Sequence, residues 1–510
     1  MSKKFYITTP IYYVNAEPHI GTAYTIIAAD TLARYKRLQG YDVFFLTGTD
    51  EHGQKIQAAA EENNETPIQL ADRMVERFQK TWKTLNISYD DFIRTTEPRH
   101  ISRTSSLIKR LLDQGDIYLG EYEGWYCIPE ETFLTERQVV DGKCASCGRE
   151  VQKLKEETYF FRLSRYQERL LKYIEENPEF VQPETRRNEV LSRIKGGLND
   201  VPISRRTVSW AIPFPENEEH TLYVWIDALC NYISALGLDE EERFKKYWPA
   251  DVHLMAKDIV WFHGVIWPAM LMSLGLSLPT RIFAHGWWNF AGDKMSKSLG
   301  NVVDPNFVAE KLGADALRYF LLREVPFGQD GSFSLQAVVR RLNSDLANDL
   351  GNLLHRTLNM TQRYQDGVIL APSEEAASLG ELASLARALP EKFNHFMENL
   401  QFSLCLEALW ELIRRANRCV EENKPWELAK DEVQRERLAT VLYYLAEALR
   451  LVTVYLSPFL PTKTEEMRSQ LGLAPLKPPL EEASRWGLIR PGTRVNLGEP
   501  LFPRVELPQE

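Results

Sequence analysis

Residues 5–50, FYITTPIYYVNAEPHIGTAYTIIAADTLARYKRLQGYDVFFLTGTD, decide the fold. The first apolar run, FYITT, predicts a short buried strand. Residues 20–40 then show helical periodicity that ends at Gly40, a typical C-terminal cap. The run DVFFLTGTD predicts a second buried strand. A strand, a helix and a strand joined by short loops predict an α/β fold, with a parallel sheet covered by helices on both faces.

The pattern along the rest of the chain changes twice. Helical patterns at about 67–86 and 98–114 continue the alternation, but aromatic and turn residues dominate 115–222, which predicts an insertion with its own small core. Apolar runs such as LYVWIDALCNYISALG then resume, so a doubly wound domain is interrupted and completed. From about 335 to 470 apolar residues recur at three- and four-residue spacing, which predicts a helical bundle.

Composition limits the class of protein. The chain has 510 residues, 44% of them hydrophobic, and a net charge of -10, which argues against a surface that coats nucleic acid non-specifically. Its 61 Lys and Arg residues still allow local basic surfaces. No apolar run approaches the roughly 20 residues of a membrane span, and the N-terminus lacks the apolar segment of a signal peptide. We therefore expect a cytoplasmic protein with no membrane partner, or an organellar one after removal of a transit peptide.

Two short motifs carry the chemistry. GDKMSKSLGN, residues 292–301, places two lysines in a mobile cationic loop, which alone would be read as a solvated turn. HIGT, residues 19–22, lies where the first strand meets its helix, and such sheets bind ligands at the carboxyl ends of their strands. Helix N-termini attract phosphate, so His19 and Gly21 are expected to face a nucleotide while Lys294 and Lys297 neutralise its far side.

HIGT with KMSKS resembles the signature pair of class I aminoacyl-tRNA synthetases. The blocks TTPIYYVNAEPHIG, TGTDEHGQKI, VWIDAL, KDIVWFHGVIWPAML and HGWWNFAGDKMSKS together resemble the methionyl-tRNA synthetase family over residues 5 to about 430. The resemblance implies ATP-dependent activation of methionine to methionyl-adenylate, with Mg²⁺ accompanying ATP. It also implies transfer of the methionyl group to tRNA(Met), bound through its anticodon and acceptor end, for initiation and elongation of protein synthesis.

The resemblance also implies site residues. The methionine pocket would comprise Ile11, Tyr13, Asp50, Trp225, Ala228, Leu229, Tyr232, Ile259 and His263. The ATP site would comprise His19, Gly21, Asp258, Lys294 and Lys297, and the catalytic set His19, Gly21, Thr22, Lys294 and Lys297. Two positions depart from the family pattern. Thr22 replaces the second histidine of HIGH but keeps a hydroxyl that can reach phosphate, and Ala256 replaces a common glycine beside the ribose.

The resemblance selects three residues of the helical bundle for anticodon binding. Asn352 and Arg356 are four apart and share a helix face, from which they can reach base edges. Trp426 can stack on an unpaired base. A surface polar pair and a core tryptophan are the alternative interpretation.

The insertion contains a candidate zinc site. Four side chains have the spacing of a structural knuckle: Cys127, Glu130, Cys144 and Cys147. Family members with one knuckle usually carry cysteine at the position of Glu130, although a carboxylate can complete a tetrahedral zinc site. The open alternative is a knuckle without metal, packed around Trp125, Tyr126 and Phe133. Cys230, Cys405 and Cys419 are expected to pack as small hydrophobes.

The resemblance gives the segments their names. The predicted domains are the first half of a Rossmann-like catalytic domain (1–114), a connective insertion (115–222), its second half (223–290), the KMSKS loop and stem-contact region (291–340), an anticodon-binding bundle (341–475) and an extended tail (476–510). The chain ends without the further tRNA-binding and dimerising domain of some family members, so we expect a monomer with no obligatory protein partner.

Three other functions stay open on the residues alone. A nucleotidylyltransferase acting on a small metabolite would not need the bundle. A non-catalytic RNA-binding paralogue would be expected to carry a damaged KMSKS, which is intact here. A class I synthetase for another aliphatic amino acid would carry a large editing insertion, which the sequence lacks.

Overall fold

The first part of the chain alternates strands and helices, as predicted. The structure is a computed structural model, and it describes residues 3–128, 131–134, 136–145, 147–239, 241–290, 293–294, 303–373, 377–477 and 479–506. The elements are β1 (Lys4–Thr8), β2 (Tyr12–Tyr13), α1 (Ile20–Leu38), β3 (Asp42–Asp50), α2 (Gln54–Glu62), α3 (Pro67–Thr84), β4 (Asp91–Arg94) and α4 (Pro98–Asp113). Helix α2 has no counterpart in the prediction; it is short, and only Ile56 and Ala60 of it are buried.

The insertion is built on a long antiparallel hairpin. Its elements are β5 (Ile117–Cys127), β6 (Thr132–Leu134), β7 (Val139–Val140), β8 (Lys143–Cys144), β9 (Gln152–Phe161), α5 (Gln167–Glu176), β10 (Val181–Gln182), α6 (Glu184–Lys195), β11 (Val201–Pro202), β12 (Ser204–Arg205) and β13 (Thr221–Leu222). Strands β11, β9, β5 and β6 form one sheet in that order. Cys127, Leu134 and Cys144 form a separate small core at its tip.

The α/β pattern then resumes. The elements are α7 (Val224–Leu229), α8 (Asn231–Ser234), α9 (Glu242–Tyr247), β14 (Val252–Ala256), α10 (Trp267–Ser273), β15 (Ile282–His285), β16 (Trp288–Phe290), β17 (Asp293–Lys294), α11 (Pro305–Leu312), α12 (Ala314–Arg323) and β18 (Gly331–Phe333). A π-helical segment, Phe262–Ile266, precedes α10. Such bulges are frequent at functional sites.

The central sheet confirms the doubly wound class. Its strand order is β10-β15-β14-β1-β3-β2, β4 pairs with β3, and every pairing is parallel. Strand β1 is flanked by β3 on one side and β14 on the other, so the chain order reverses there and a crevice opens at its carboxyl end. The segment predicted as insertion also contributes to this sheet, because Val181 of β10 pairs with Ile282 of β15.

The last third is helical, as predicted. Its helices are α13 (Leu335–Arg341), α14 (Asn352–Gln365), α15 (Ala377–Glu398), α16 (Phe402–Asn423), α17 (Pro425–Leu428), α18 (Arg435–Leu456), α19 (Pro461–Gln470) and α20 (Leu480–Ala483). A π-helical stretch, Leu342–Gly351, joins α13 to α14. Within the described residues, Glu432–Leu456 is the one helical segment apolar and long enough to cross a membrane, and its apolar window is wholly buried in the protein.

Candidate active site

A cavity of about 400 Å³ lies at the switch point of the sheet. It brings together fourteen of the predicted positions from four separate sequence blocks: Ile11, Tyr13, His19, Gly21, Thr22, Asp50, Trp225, Ala228, Leu229, Tyr232, Ala256, Asp258, Ile259 and His263. The blocks are far apart in sequence. Three of them lie at or just beyond β1, β3 and β14 of the central sheet, and the fourth lies in α7 and α8. The structure therefore brings these predicted residues to one cavity, and their roles stay predictions.

Helix α1 begins at the cavity with a histidine cap. The Gly21 N–H donates to His19 Nδ1 at 3.0 Å, which places the proton of a neutral imidazole on Nε2. A Cβ at position 21 would lie 2.9 Å from His19 Cε1, so the folded imidazole itself requires glycine there. The Ile20 N–H donates to the Val303 carbonyl at 3.1 Å, so the same helix end also holds the chain that follows the KMSKS loop.

The Thr22 hydroxyl has a different partner from the one expected. It accepts from the His19 N–H at 3.0 Å and donates to the His19 carbonyl at 2.8 Å, which completes a capping box. Because its proton is used on the backbone, it is not a phosphate donor in this structure. Thr22 thus holds the residue that faces the cavity, and its predicted contact with phosphate stays a prediction.

Asp50 is the acidic group at the end of β3. Its side chain is buried, and Oδ1 has no hydrogen-bond partner among the described residues. Burial, followed by the negative charges of Asp227 and Glu131, raises the pKa of this carboxyl well above its usual range. A buried acceptor in a cavity wall without a partner is suited to a cationic ligand.

A buried network behind Asp50 was missed by sequence reasoning. His52 Nδ1 lies 2.7 Å from one oxygen of Asp227, and His100 Nε2 lies 2.6 Å from the other. Burial alone would raise the pKa of Asp227, but the charge of His52 and the hydrogen bond from His100 outweigh it and lower the pKa to about 2. The network joins the loop after β3 to helix α7, which carries Trp225. The polar residues inside TGTDEHG and VWIDAL were its signal.

The apolar end of the cavity is aromatic. Trp225 stacks on Phe262 with ring centroids 3.9 Å apart and planes within 6°. His263 Nδ1–H donates to the Ile259 carbonyl at 3.0 Å, so its Nε2 accepts from the Tyr232 hydroxyl at 2.7 Å. Burial lowers the pKa of His263 to about 4, and the ring is therefore neutral at physiological pH. This end offers a shaped, largely apolar surface, which suits a thioether.

The opposite end of the cavity is polar. Asp258 accepts from Trp287 Nε1 at 3.2 Å. The Thr25 hydroxyl of α1 lies 2.7 Å from His285 Nε2, while His285 Nδ1 lies 2.7 Å from the Gly286 carbonyl. Burial lowers the pKa of His285 to about 4. Thr25 and His285 were absent from the predicted set, although they join α1 to the end of β15 beside the site.

The KMSKS loop is only partly described. The backbone of Lys294 lies in β17, which pairs with β16 through Asn289. Lys297 and the rest of the motif lie outside the described residues. Their predicted roles therefore rest on the sequence.

The three predicted cysteines converge in the insertion. The sulfurs of Cys127, Cys144 and Cys147 all lie within 4.8 Å of one another, and those of Cys127 and Cys147 are 3.6 Å apart. Two thiolates on one tetrahedral zinc ion would be separated by about 3.8 Å, given zinc–sulfur bonds of about 2.3 Å. The donor set therefore fits zinc. Glu130 lies outside the described residues.

The three bundle residues lie on one exposed face. Asn352 is exposed, and Trp426 is half-buried and packs against the hydrophobic core of the bundle. The Arg356 guanidinium lies 5.8 Å from the Trp426 ring centroid and also pairs with Glu421 at 2.7 Å. Asn352 lines a surface cleft with Asn348, Asp349, Arg414, Asn417 and Arg418.

The fold and this cavity define a class of protein, the class I tRNA synthetases. The family model described as tRNA synthetases class I (M) matches residues 5–155 and 140–358. A methionine–tRNA ligase of Caldanaerobacter subterraneus subsp. tengcongensis is 55% identical and covers 100% of this chain and 80% of its own length. That of Bacillus subtilis (strain 168) is 52% identical and covers 99% of this chain and 78% of its own length.

Solved structures of one relative also match the chain over nearly its whole length. Mycobacterium tuberculosis methionyl-tRNA synthetase in complex with methionyl-adenylate is 45% identical and superposes with a TM-score of 0.95, covering 98% of this chain and 100% of that chain. The apo form of that enzyme is 42% identical, has a TM-score of 0.88 and covers 100% and 99%. The chain belongs to the methionyl-tRNA synthetase family.

Proposed function

We propose that this chain activates methionine with ATP to methionyl-adenylate and pyrophosphate, and then transfers the methionyl group to tRNA(Met). The observation that carries the proposal is the single cavity in which the aromatic pocket, the buried Asp50 and the capped N-terminus of α1 meet. A relative whose structure holds methionyl-adenylate superposes on the chain at a TM-score of 0.95. ATP enters with Mg²⁺ as the substrate complex.

The amino acid occupies the aromatic end. Asp50 accepts from the methionine ammonium, which restores a partner to its buried oxygen. Trp225, Tyr232 and His263 surround the side chain together with Ile11, Tyr13, Ala228, Leu229 and Ile259. Because Tyr232 donates to a neutral His263, these two polar groups are engaged with each other, and the aromatic rings present apolar surface to the thioether.

The nucleotide occupies the polar end. His19 Nε2–H donates to a phosphate oxygen, and Asp258 accepts from the ribose. A methionine carboxylate oxygen attacks the α-phosphorus and forms the acyl-phosphate bond. The bond from the α-phosphorus to the bridging oxygen breaks, and its electron pair leaves with pyrophosphate. Lys294 and Lys297 neutralise the charge that develops on the leaving group. Positioning and charge stabilisation supply the catalysis, so no covalent enzyme intermediate is needed.

The bundle binds the anticodon of tRNA(Met). Asn352 and Arg356 contact base edges, and Trp426 offers a half-exposed ring for stacking. The Arg356–Glu421 ion pair is replaced by contacts to the RNA.

We also propose that zinc is bound in the insertion by Cys127, Cys144 and Cys147, with Glu130 as the fourth ligand. The convergence of three sulfurs within 4.8 Å supports it. The ion would fix the tip of the insertion, whose own core is small.

Charging of tRNA tests the whole proposal. Purified protein with ATP and Mg²⁺ should esterify methionine to tRNA(Met), and a transcript with a changed anticodon should be charged far more slowly. Charging of both transcripts at equal rates would contradict the role of the bundle. Rapid charging with isoleucine or valine in place of methionine would contradict the amino-acid assignment.

A further inference from the structure

Lys55 is a charged residue of the cavity wall that the proposed reaction does not use. It lies in the first turn of α2, five residues after Asp50, and its side chain is only 18% exposed. Its Nζ lies 4.6 Å from the centroid of the Tyr13 ring, so the ammonium group sits beside the predicted methionine pocket. A cation there would repel the ammonium of a bound amino acid unless its charge were compensated.

Glu131 of the insertion supplies the opposite charge. Its side chain is 1% exposed, one carboxylate oxygen lies 4.0 Å from Lys55 Nζ, and the other accepts from the Lys55 N–H at 3.0 Å. A Cβ at Gly53 would lie 2.8 Å from the same carboxylate, so the loop after β3 is folded closely around it. The Tyr223 hydroxyl donates to the Glu131 carbonyl at 2.5 Å, which fixes the backbone.

Several neighbouring groups influence the charge state of the Asp50 carboxyl. The groups that act on it are Asp227, Glu131, Lys55 and the His52 backbone N–H. Burial, followed by the charges of Glu131 and Asp50, raises the pKa of Tyr13. The charges of Lys55 and Glu131 offset each other. Of the two remaining acids, Asp227 has both oxygens engaged by histidines, whereas Asp50 lines the cavity with an oxygen that has no partner among the described residues.

We propose that Lys55 and Glu131 form an internal charge pair that leaves Asp50 as the one uncompensated anion of the amino-group subsite. Glu131 is then a positioning residue, supplied by the insertion, for methionine binding. The inference rests on the proposed function, because it takes the amino group of methionine as the partner of Asp50.

The charge pair predicts that substitutions of Lys55 and Glu131 compensate for each other. Glu131→Gln leaves Lys55 free to compete with the substrate ammonium for Asp50, so the KM for methionine should rise by about tenfold or more. Lys55→Met leaves two uncompensated carboxylates, which favours the protonated form of Asp50. Its KM for methionine should therefore be raised more at about pH 6.5 than at about pH 8. The double variant restores a single negative charge and should bind methionine better than either single variant.

The measurement is methionine-dependent exchange of pyrophosphate into ATP for the wild type, both single variants and the double variant. The KM for ATP should stay within about twofold throughout, because the pair faces the amino-acid end of the cavity. The matched control is the exposed pair of the same insertion, Lys155 and Glu123, whose atoms lie 3.2 Å apart. Lys155→Met with Glu123→Gln should leave the KM for methionine unchanged.

Two outcomes would overturn the inference. A double variant that is at least as impaired as the worse single variant, at unchanged melting temperature, would show that no charge balance is involved. Equal rises in the KM for ATP and for methionine would indicate a general structural role. The Asp50→Asn variant distinguishes failure of the charge-pair proposal from failure of the assignment of Asp50 to the methionine amino group. If it raises the KM for methionine while neither single variant does, only the charge pair is overturned. If it has no effect, the amino-group assignment falls, and the pair with it.

Discussion

The residues at the start of α1 line the cavity and also cap the helix. His19 faces the cavity, whereas Thr22 holds the His19 backbone from both sides and Gly21 leaves room for the imidazole. The HIGT pattern predicts that these residues act together at a helix N-terminus. It does not reveal that the threonine hydroxyl is used inside the cap, because that depends on the rotamer the folded backbone selects.

Replacing Thr22 with valine should test this cap. The variant keeps the shape but loses both hydrogen bonds, so we expect the free energy of unfolding to fall by about 1 kcal/mol. The KM for ATP should rise, because His19 is no longer held. Thr22→Ser keeps the hydroxyl and is the control. A Thr22→Val variant with normal stability but no ATP binding would instead favour a direct contact with phosphate.

The buried neutral histidines should make stability depend on pH. Burial lowers the pKa of His263 and His285 from 6.5 to about 4, so between these values the unfolded chain binds protons that the folded chain does not. Stability should therefore fall as pH drops from 6.5 towards 4, by about 2 kcal/mol per histidine at about pH 5. The pKa of Asp227 is lowered from 3.8 to about 2, so the stability that its ionised form contributes is lost only below this pH range.

Urea unfolding at about pH 7 and about pH 5 measures this dependence. The variant His263→Asn cannot titrate, so its loss of stability between the two pH values should be smaller than that of the wild type. An equal loss in both proteins would contradict the neutral state of His263.

At the scale of elements, the insertion contributes to the site as well as to its own small core. Its hairpin carries the cysteine cluster, β10 joins the edge of the central sheet, and Trp210 and Glu131 contact the loop after β3. The change of pattern at about 115 was visible in the sequence. The return of β10 to the main sheet was not, because two residues of strand carry no periodic signal.

Cys144→Ser should release zinc from the insertion. Elemental analysis of chelator-washed wild-type protein should find about one zinc per chain, and the variant should contain much less. We expect faster proteolysis of the insertion in the variant, because the cluster's own core is small. Wild-type protein with far less than one zinc per chain would contradict the proposed metal site.

At the scale of the whole molecule, α1 extends from the cavity to the bundle. Its Asp30 pairs with Arg318 of α12 at 2.7 Å, both fully buried, and Arg318 also donates to the carbonyls of Pro458 and Phe459. The helix that begins at His19 is thus tied to the chain between α18 and α19. The cavity and the cleft that Asn352 lines nevertheless have no lining residue in common.

Trp426→Ala should separate the two activities. Activation of methionine should be unchanged, because Trp426 is not among the described residues that line the cavity, while the KM for tRNA should rise by about tenfold. Kinetics of pyrophosphate exchange and of charging provide the two readouts. Loss of both activities together, with a lowered melting temperature, would mark Trp426 as a structural residue of the bundle.

Much of this organisation could be predicted from the sequence. Strand and helix periodicity gave the sheet, its interruption and the bundle, and the motif blocks identified residues such as Asp50 and Trp225 that the fold brings into one cavity. What periodicity cannot supply is pairing between side chains distant in sequence. The Asp227 network and the Lys55–Glu131 pair each join segments more than 70 residues apart, so they became visible only in three dimensions.

Methionine-dependent exchange of labelled pyrophosphate into ATP tests the central claim most directly, because it measures adenylate formation without tRNA. We expect exchange that requires methionine, Mg²⁺ and this chain, and that isoleucine or valine does not support. Asp50→Asn should raise the KM for methionine. Folded protein that catalyses no methionine-dependent exchange would contradict the proposed methionine activation.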